Sequence, residues 1–242
     1  MKEMECRFLN GTFYKMEEQH MEHKMLYKYK SVDNLEYLLD IIQNQRLYLA
    51  DIEELNDPLE GLMMECSGWA GCSYYNGTPI LHPHYREALE KYRILSLTEE
   101  KDDIVMWSHY SNNFNGVCIE IGTEGQLSIA EKVDYSETVV KDRELSLYES
   151  AELALRMKLK EWSYEKEWRV IVSDQRYLQL KKGEIKKIII GHKVSEIIRD
   201  IIIKMCKQND IEVAVAFVDR TARKYHECTI EEYEIILREY FV

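Results

Sequence analysis

Apolar and polar residues follow two different periods along this chain, and the period changes repeatedly between those of a strand and a helix. Apolar residues at helical spacing predict helices over Asp33–Gln45, Asp102–Ser111, Arg143–Lys160 and Val194–Met205. Short apolar or alternating runs predict strands at Arg46–Ala50, Tyr92–Thr98, Gly116–Ile121, Tyr164–Val172, Lys186–Gly191 and Ile211–Val218. Because strands and helices intermix, the sequence predicts an α+β fold in which helices flank a mixed sheet.

Local signals refine this pattern at both ends. Asp33 with Glu36, and Thr229 with Glu232, form capping pairs that begin the first and last helices. The two apolar strands that flank the Val194–Met205 helix predict a β-α-β unit with parallel strands.

Few turn-forming residues divide the chain. It has 242 residues, 45% of them hydrophobic, and only three prolines, so we predict a single domain over residues 25–242 after an N-terminal extension, residues 1–24. All three prolines lie between Asn56 and His84. This stretch predicts a long irregular loop that covers a ligand cleft, with Asn56 near its rim.

The charge balance is acidic. Lys and Arg number 32 against 44 Asp and Glu, a formal net charge of −12, which argues against general nucleic-acid binding. Six cysteines are scattered without CxxC spacing, so neither a zinc site nor a disulfide framework is indicated, and a reducing cytoplasm fits best. No apolar run is long enough to span a membrane, so we expect a soluble protein with no membrane association.

The segment YEKEWRVIV, Tyr164–Val172, carries the strongest chemical signal. In a strand, side chains alternate between two faces, which places Glu165, Glu167 and Arg169 side by side on one of them. Two carboxylates and a guanidinium on one surface suit chemistry on a cation. The alternative is a half-exposed strand whose charged face only meets water.

Polar and aromatic groups gather around the end of the Tyr92–Thr98 strand. The strand ends in Ser96 and Thr98, and the helix after it carries Trp107, His109 and Tyr110. Such groups can line a ligand cleft and stack on a planar ring. Alternatively, the two aromatic residues anchor the core and His109 is a surface residue.

The segments LYKYKS and LNDPLEG form a third candidate. Tyr27 and Tyr29 share one face of an extended segment and Lys28 lies on the other, so stacking and phosphate-pairing groups are presented together. In LNDPLEG, Asn56 begins a strong turn signal. These residues can equally serve the turn alone, with Glu60 in solvent.

Taken in order, six motifs resemble a widespread bacterial family known only as a domain of unknown function. The motifs are LYKYKS, LNDPLEG, SLTEEKDDIVMWSHY, GVCIEI, WSYEKEWRVIV and IKKIIIG. The resemblance extends from about Leu26 to Thr229.

The order of the motifs is also similar, more distantly, to the R-S-E class of ADP-ribosyltransferases. This resemblance implies an ADP-ribosyltransferase-like mixed β core, with Lys28 on the dinucleotide phosphates and the strand end Ser96–Thr98 shaping the nicotinamide pocket. It implies that Glu167 stabilises a ribosyl cation and that Glu165 directs the acceptor. Cleavage of the nicotinamide bond develops an oxocarbenium-like centre, which a nearby ionised carboxylate stabilises.

The expected function is therefore transfer of ADP-ribose from NAD to a macromolecule, or cleavage of NAD, in a toxin or phage-defence setting. The expected NAD-binding residues are Tyr27, Lys28, Tyr29, Asn56, Ser96, Thr98, Trp107, His109, Tyr110 and Arg169. Two alternatives stay open. One is a non-catalytic nucleotide- or protein-binding domain, and the other is a metal-assisted hydrolase or nuclease that uses His109, Asp57 and the glutamates. We expect no metal requirement, because the carboxylates sit on separate motifs without a DxD pair, and His82 and His84 lie in an HPHY turn and look like a loop pair.

Overall fold

The computed structural model of the chain describes residues 6–9, 12–15, 25–62, 72–75, 78–81, 83–136, 147–219 and 221–240. The strands are β1 Cys6–Leu9, β2 Thr12–Lys15, β3 Met25–Ser31, β4 Arg46–Tyr48, β5 Cys72–Tyr75, β6 Thr78–Leu81, β7 Tyr92–Thr98, β8 Gly116–Gly122, β9 Glu131–Lys132, β10 Asp134–Ser136, β11 Met157–Leu159, β12 Glu167–Ser173, β13 Tyr177–Gln179, β14 Ile185–Gly191, β15 Glu212–Asp219 and β16 Lys224–Cys228. The α-helices are α1 Leu35–Asn44, α2 Pro83–Glu90, α3 Ile104–Tyr110, α4 Leu147–Ala154, α5 Glu196–Gln208 and α6 Ile230–Tyr240. Short 3-10 helices span Ile52–Glu54, Gln126–Ile129 and Lys160–Glu165.

The chain divides into two compact units, each assembled from separate segments. Unit 1 contains the described residues of Met1–Glu22, Leu49–Leu95 and Ala130–Arg176. Unit 2 contains those of His23–Tyr48, Ser96–Ile129 and Tyr177–Val242. The α+β class predicted from the sequence is confirmed. The single domain predicted over residues 25–242, and the N-terminal extension before it, stay predictions.

Unit 2 is built on a mixed sheet. Its hydrogen-bonded strand order is β16-β15-β14-β8-β3, and the Thr98 end of β7 pairs with β3 opposite Tyr27. Strands β14 and β15 run parallel and are joined through α5, which confirms the predicted parallel strands of the β-α-β unit. The other pairs in this unit are antiparallel. Their central positions, such as Ile119 and Ile188, are fully buried.

Unit 1 has short strand pairs and a helical core. Strand β12 pairs antiparallel with β9, and β10 pairs parallel with β11. Helices α2 and α4 pack together around a buried apolar cluster of Tyr85, Ala88, Leu89, Ile94, Ala151 and Leu155. This core supports the segments that carry the YEKEWR motif.

Two predictions on local structure are wrong. The helix predicted to end at Lys160 ends at Ala154, and the chain then forms β11 and the 3-10 helix Lys160–Glu165. Asp33 does not cap α1: the N-cap residue is Asn34, and the Asp33 carboxylate accepts a hydrogen bond from the Ser31 hydroxyl at 2.6 Å. The capping box at Thr229 is confirmed by two backbone-to-side-chain hydrogen bonds with Glu232.

The predicted loop from Asn56 to His84 contains regular secondary structure. It contains the hairpin β5–β6, and α2 begins at Pro83. Residues 63–71, 76–77 and 82 lie outside the described part of the chain, so the predicted role of this loop as a cover stays a prediction. Within the described ranges, no helix is both long and apolar enough to cross a bilayer.

Candidate functional site

A turn presents Glu60 to the interior of unit 1. The backbone N–H of Leu59 donates to Asp57 Oδ1 at 2.9 Å, and the N–H of Glu60 donates to the carbonyl of Asp57 at 3.1 Å. Gly61 follows with a φ of +73°, and a Cβ there would lie 2.8 Å from Ile52 Cδ1, which favours glycine on both counts. Glu60 is buried, so the solvated position considered for it from the sequence is wrong.

Arg169 on β12 receives the Glu60 carboxylate in a two-point ion pair. Its Nη1 donates to Glu60 Oε1 at 2.5 Å and its Nη2 donates to Oε2 at 2.9 Å. Nη1 also donates to the Leu155 carbonyl at 2.7 Å. The parallel geometry matches the planar fork of a guanidinium to a carboxylate, which is the strongest form of this interaction.

Glu167, two residues earlier on the same strand, shares this guanidinium. Arg169 Nε donates to Glu167 Oε1 at 2.8 Å and Nη2 donates to Oε2 at 3.1 Å. The backbone N–H of Glu167 donates to the Tyr135 hydroxyl at 2.8 Å. The carboxylate of Glu167 is therefore held from one side by the arginine, while its backbone is held by β10.

Lys158 on β11 links Glu167 to Glu165. Its ammonium donates to Glu165 Oε2 at 2.5 Å and to Glu167 Oε2 at 3.1 Å. The Trp162 ring lies over the same ammonium, with Nζ 4.7 Å from the ring centroid. We refer to Glu60, Lys158, Glu165, Glu167 and Arg169 as the ionic cluster. Its side chains are between 1% and 5% exposed.

Burial and charge oppose each other in the ionic cluster. Burial lowers the pKa of Arg169, but Glu167 and Glu60 outweigh it, so the pKa rises. Burial likewise lowers the pKa of Lys158, and Glu167 and Glu165 outweigh it, so this pKa also rises. Both cations are charged at neutral pH. Burial raises the pKa of Glu60 and outweighs the opposing effect of Arg169.

The predicted ionic row on one strand face needs correction. Glu165 is the last residue of a 3-10 helix, and Lys166 has a φ of 42°, so the strand begins only at Glu167. Strand alternation therefore does not align Glu165 with Glu167. Trp168 and Val170, on the opposite face of β12, are buried as well. The charged side chains of Glu167 and Arg169 pair with residues of unit 1. The alternative prediction, a charged strand face that only meets water, is therefore wrong.

In unit 2, Trp107 is a core residue. Its ring is stacked on Phe114 at 4.8 Å between centroids and meets the Tyr29 ring edge-on at 5.3 Å. Its Nε1–H donates to the Lys101 carbonyl at 2.8 Å, and the Tyr29 hydroxyl donates to the Glu100 carbonyl at 3.1 Å. Both side chains are buried, so the alternative of a core anchor describes Trp107. A contact of Trp107 or Tyr29 with NAD stays a prediction.

The remaining predicted residues of unit 2 lie on or beside its sheet. Tyr27 stands opposite Thr98 across β3 and β7, and burial, followed by Glu120, raises the pKa of Tyr27 to about 12. Thr98 is buried and its hydroxyl accepts from the Glu100 N–H at 3.1 Å. Lys28 donates to the Ser96 carbonyl at 2.8 Å. The strand pairing agrees with the prediction that Tyr27 and Tyr29 share one face of β3. Contact of the predicted residues with phosphate or nicotinamide stays a prediction.

Two predicted residues lie at the end of α3. His109 is exposed and Tyr110 is half-buried, with ring centroids 6.3 Å apart. His109 belongs to unit 2, while Asp57 and the glutamates of the ionic cluster belong to unit 1. Among the residues that the structure describes, no group of three His, Cys, Asp or Glu is placed to hold a metal ion. Asn56 is exposed beside the turn that carries Glu60.

Sequence reasoning missed Lys158 and Tyr135 and undervalued Glu60. Lys158 lies between Met157 and Leu159, inside a run that was assigned to a helix. A strand assignment would have placed it on a charged face with Arg156 and Lys160, so the alternation gives no sign of its burial. Tyr135 stands directly opposite Lys158 in the parallel β10–β11 pair. No local signal identifies this pairing, because it depends on contacts distant in sequence.

These observations define the chain as an α+β protein with a buried ionic cluster. Residues 106–170 match the family described as "Protein of unknown function (DUF2971)". The matched range begins within α3 and includes the YEKEWR motif, and it confirms the resemblance to a domain family of unknown function. The chain matches no curated protein and no solved structure.

Proposed function

We propose that this chain binds NAD and cleaves its bond to nicotinamide, either releasing ADP-ribose or transferring it to a macromolecule. In this proposal the fold is ADP-ribosyltransferase-like, Glu167 stabilises the ribosyl cation and Glu165 orients the acceptor. The observation that carries the proposal is the meeting of Glu165 and Glu167 at one ammonium, although they come from different backbone elements.

The electrostatics of the ionic cluster support this chemistry. A carboxylate held in place by an arginine and a lysine needs little reorganisation when a positive charge develops beside it. The cluster is also buried, and electrostatic interactions are stronger away from water. Glu60 contributes indirectly, because its pairing with Arg169 holds the guanidinium against Glu167.

In this proposal, access to the carboxylates requires movement of the Trp162 side chain, which belongs to the 3-10 helix Lys160–Glu165. Trp162 lies on the Lys158 ammonium and Glu165 binds the same group. Leu159, Lys160, Glu161 and Ser163, from the same stretch, line a surface depression of about 540 Å³. A substrate that enters there reaches Glu167 only after Trp162 leaves Lys158. The proposal therefore includes displacement of the Trp162 side chain during turnover, while Glu165 and Glu167 stay paired with Lys158.

The test is to incubate the purified chain with NAD and to measure released nicotinamide and bound NAD. Glu167→Gln is the test variant, and Glu53→Gln is its matched control, because Glu53 is an exposed glutamate of unit 1 in the 3-10 helix Ile52–Glu54 and does not line the depression. We expect nicotinamide release by the wild type and the control, and its loss in Glu167→Gln. Wild-type protein without NAD cleavage would contradict the proposal.

A second candidate function is a non-catalytic nucleotide- or protein-binding domain. The observation in its favour is that Glu165 and Glu167 are already paired with Lys158 and Arg169, as expected for ion pairs that stabilise a fold. Saturable NAD binding without nicotinamide release, unchanged in Glu167→Gln, would favour this function over catalysis.

A further inference from the structure

The carboxylates of Glu165 and Glu167 meet at a lysine. In a continuous strand, residues two apart share a face, and the backbone alone aligns them. Here Lys166 has a φ of 42° and Glu165 belongs to a 3-10 helix, so the backbone turns between the two glutamates. Their carboxylates nevertheless both contact Lys158 Nζ, at 2.5 and 3.1 Å.

Strand β11 gives Lys158 a fixed position. Its neighbours Met157 and Leu159 are apolar, and the strand pairs with β10 in register Tyr135 to Lys158. The Tyr135 hydroxyl accepts the backbone N–H of Glu167. One strand pair thus holds both the backbone and the carboxylate of Glu167, through Tyr135 and Lys158 respectively.

Trp162 restricts the Lys158 ammonium on a further side. The ring centroid lies 4.7 Å from Nζ, within the range of a cation–π contact. The ammonium is therefore confined by an aromatic face and two carboxylates. A lysine on a flexible stem gains a defined position from these contacts, which is what a positioning group requires.

We propose that Lys158 is a positioning residue for NAD cleavage, an inference that rests on the function proposed above. Lys158 holds Glu165 and Glu167 at the separation that the reaction uses, and it does so without contact with NAD. Arg169 fixes Glu167 from the other side, so Lys158 is the group that couples Glu165 to it.

The test is steady-state NAD cleavage by Lys158→Met, which keeps the apolar stem and removes the ammonium. We expect kcat to fall by about tenfold or more, the usual loss when a supporting contact is removed from a reacting group. The KM for NAD should stay unchanged, because Lys158 does not contact the substrate. Lys158→Arg restores the positive charge, so its kcat should lie between those of Lys158→Met and the wild type.

Lys132→Met is the matched control. Lys132 is a lysine of the same unit whose ammonium lies 5.9 Å from the Trp168 ring centroid, and it is exposed on β9. Its loss should leave kcat and KM at wild-type values. If a thermal melt shows that Lys158→Met does not fold, Glu165→Gln is compared with the double variant Glu165→Gln/Lys158→Met. The double variant also lacks the Glu165 carboxylate, which Lys158→Met alone leaves buried without its ammonium partner. Because Lys158 also holds Glu167, kcat should fall between that pair too, but by less than between the wild type and Lys158→Met.

The outcomes separate the two proposals. Wild-type protein that does not cleave NAD contradicts the proposed function and the role of Lys158 with it. An active wild type with an equally active Lys158→Met variant contradicts only the role of Lys158. A rise in KM with unchanged kcat would make Lys158 a substrate-binding residue and would overturn the positioning role.

Discussion

Arg169 and Glu60 form a buried two-point ion pair across 109 positions of the sequence. The same guanidinium binds Glu167, and its Nη1 also donates to the Leu155 carbonyl. Arg169 thereby connects the turn after Asp57, the end of α4 and strand β12. Its removal should affect the whole of unit 1.

Arg169→Ala should destabilise the protein by about 3–5 kcal/mol, because it leaves the Glu60 and Glu167 carboxyl groups buried without this partner. The measurement is urea-induced unfolding at neutral pH. Arg176→Ala is the control, since Arg176 pairs with Asp51 at the surface and its loss should cost less than about 1 kcal/mol. Equal effects of the two substitutions would show that burial of the Arg169 pair is not what stabilises unit 1.

Glu167→Gln should lower NAD cleavage by roughly a hundredfold or more, because it removes the charge that stabilises the ribosyl cation while keeping size and most hydrogen bonding. Nicotinamide release at saturating NAD gives the rate, and a thermal melt confirms that the variant is folded. A folded variant with wild-type turnover would exclude Glu167 as the stabilising group.

Glu165→Gln should act differently from Glu167→Gln. Orientation of a nucleophile matters less when the nucleophile is water, so transfer should fall more than hydrolysis. With agmatine as a diffusible acceptor, the ratio of ADP-ribosyl-agmatine to free ADP-ribose should decrease relative to wild type. A ratio that stays constant while both products decline would assign Glu165 to cleavage itself.

Glu60 should make the stability of the protein depend on pH. Burial raises its pKa in the folded state, so the native protein holds this proton more tightly than the unfolded chain does. Its contribution to the free energy of unfolding is complete below the usual carboxyl pKa and is lost as pH rises through the raised native value. Urea unfolding of wild type and Glu60→Gln from acid to neutral pH should show this loss only in the wild type. Parallel pH profiles would contradict it.

Trp107→Ala should destabilise the protein by about 3–5 kcal/mol, as expected for removal of a fully buried aromatic side chain. Trp107→Phe should cost less, because a ring still meets Tyr29 and Phe114 while the hydrogen bond to the Lys101 carbonyl is lost. The comparison uses the midpoint and slope of urea unfolding. If Trp107→Ala unfolds like wild type, the ring is not a core anchor.

Several elements could be predicted because their signal is local. The alternation and apolar content of Tyr92–Thr98 predicted β7 at its observed bounds, and the capping box at Thr229 is present with its hydrogen bonds. The alternation of LYKYKS predicted that Tyr27 and Tyr29 share a face. Their different burial was not predictable, since it arises where Trp107 on α3 packs onto Tyr29.

The site was predictable only in part. The YEKEWR motif correctly brought Glu165, Glu167 and Arg169 together. The predicted reason, strand alternation from Glu165 to Glu167, is wrong because the backbone turns at Lys166. Lys166 is a non-glycine residue with positive φ, which no sequence pattern marks. The partnership of Glu60 with Arg169 depends on chain topology, which residue periodicity does not encode. Lys158 was missed because its burial has no local signal: by strand alternation it belongs with Arg156 and Lys160 on the charged face.

The separation of Glu60 from Arg169 along the chain has a consequence for folding during synthesis. The residues between them include Ser96–Ile129, which belong to unit 2. While the ribosome is still making that stretch, Glu60 has been translated and Arg169 has not. Its partner arrives only when β12 emerges, and contacts of such long range form late and slowly. A nascent chain arrested before β12 should therefore hold unit 1 in a protease-sensitive state, with Glu60 still hydrated.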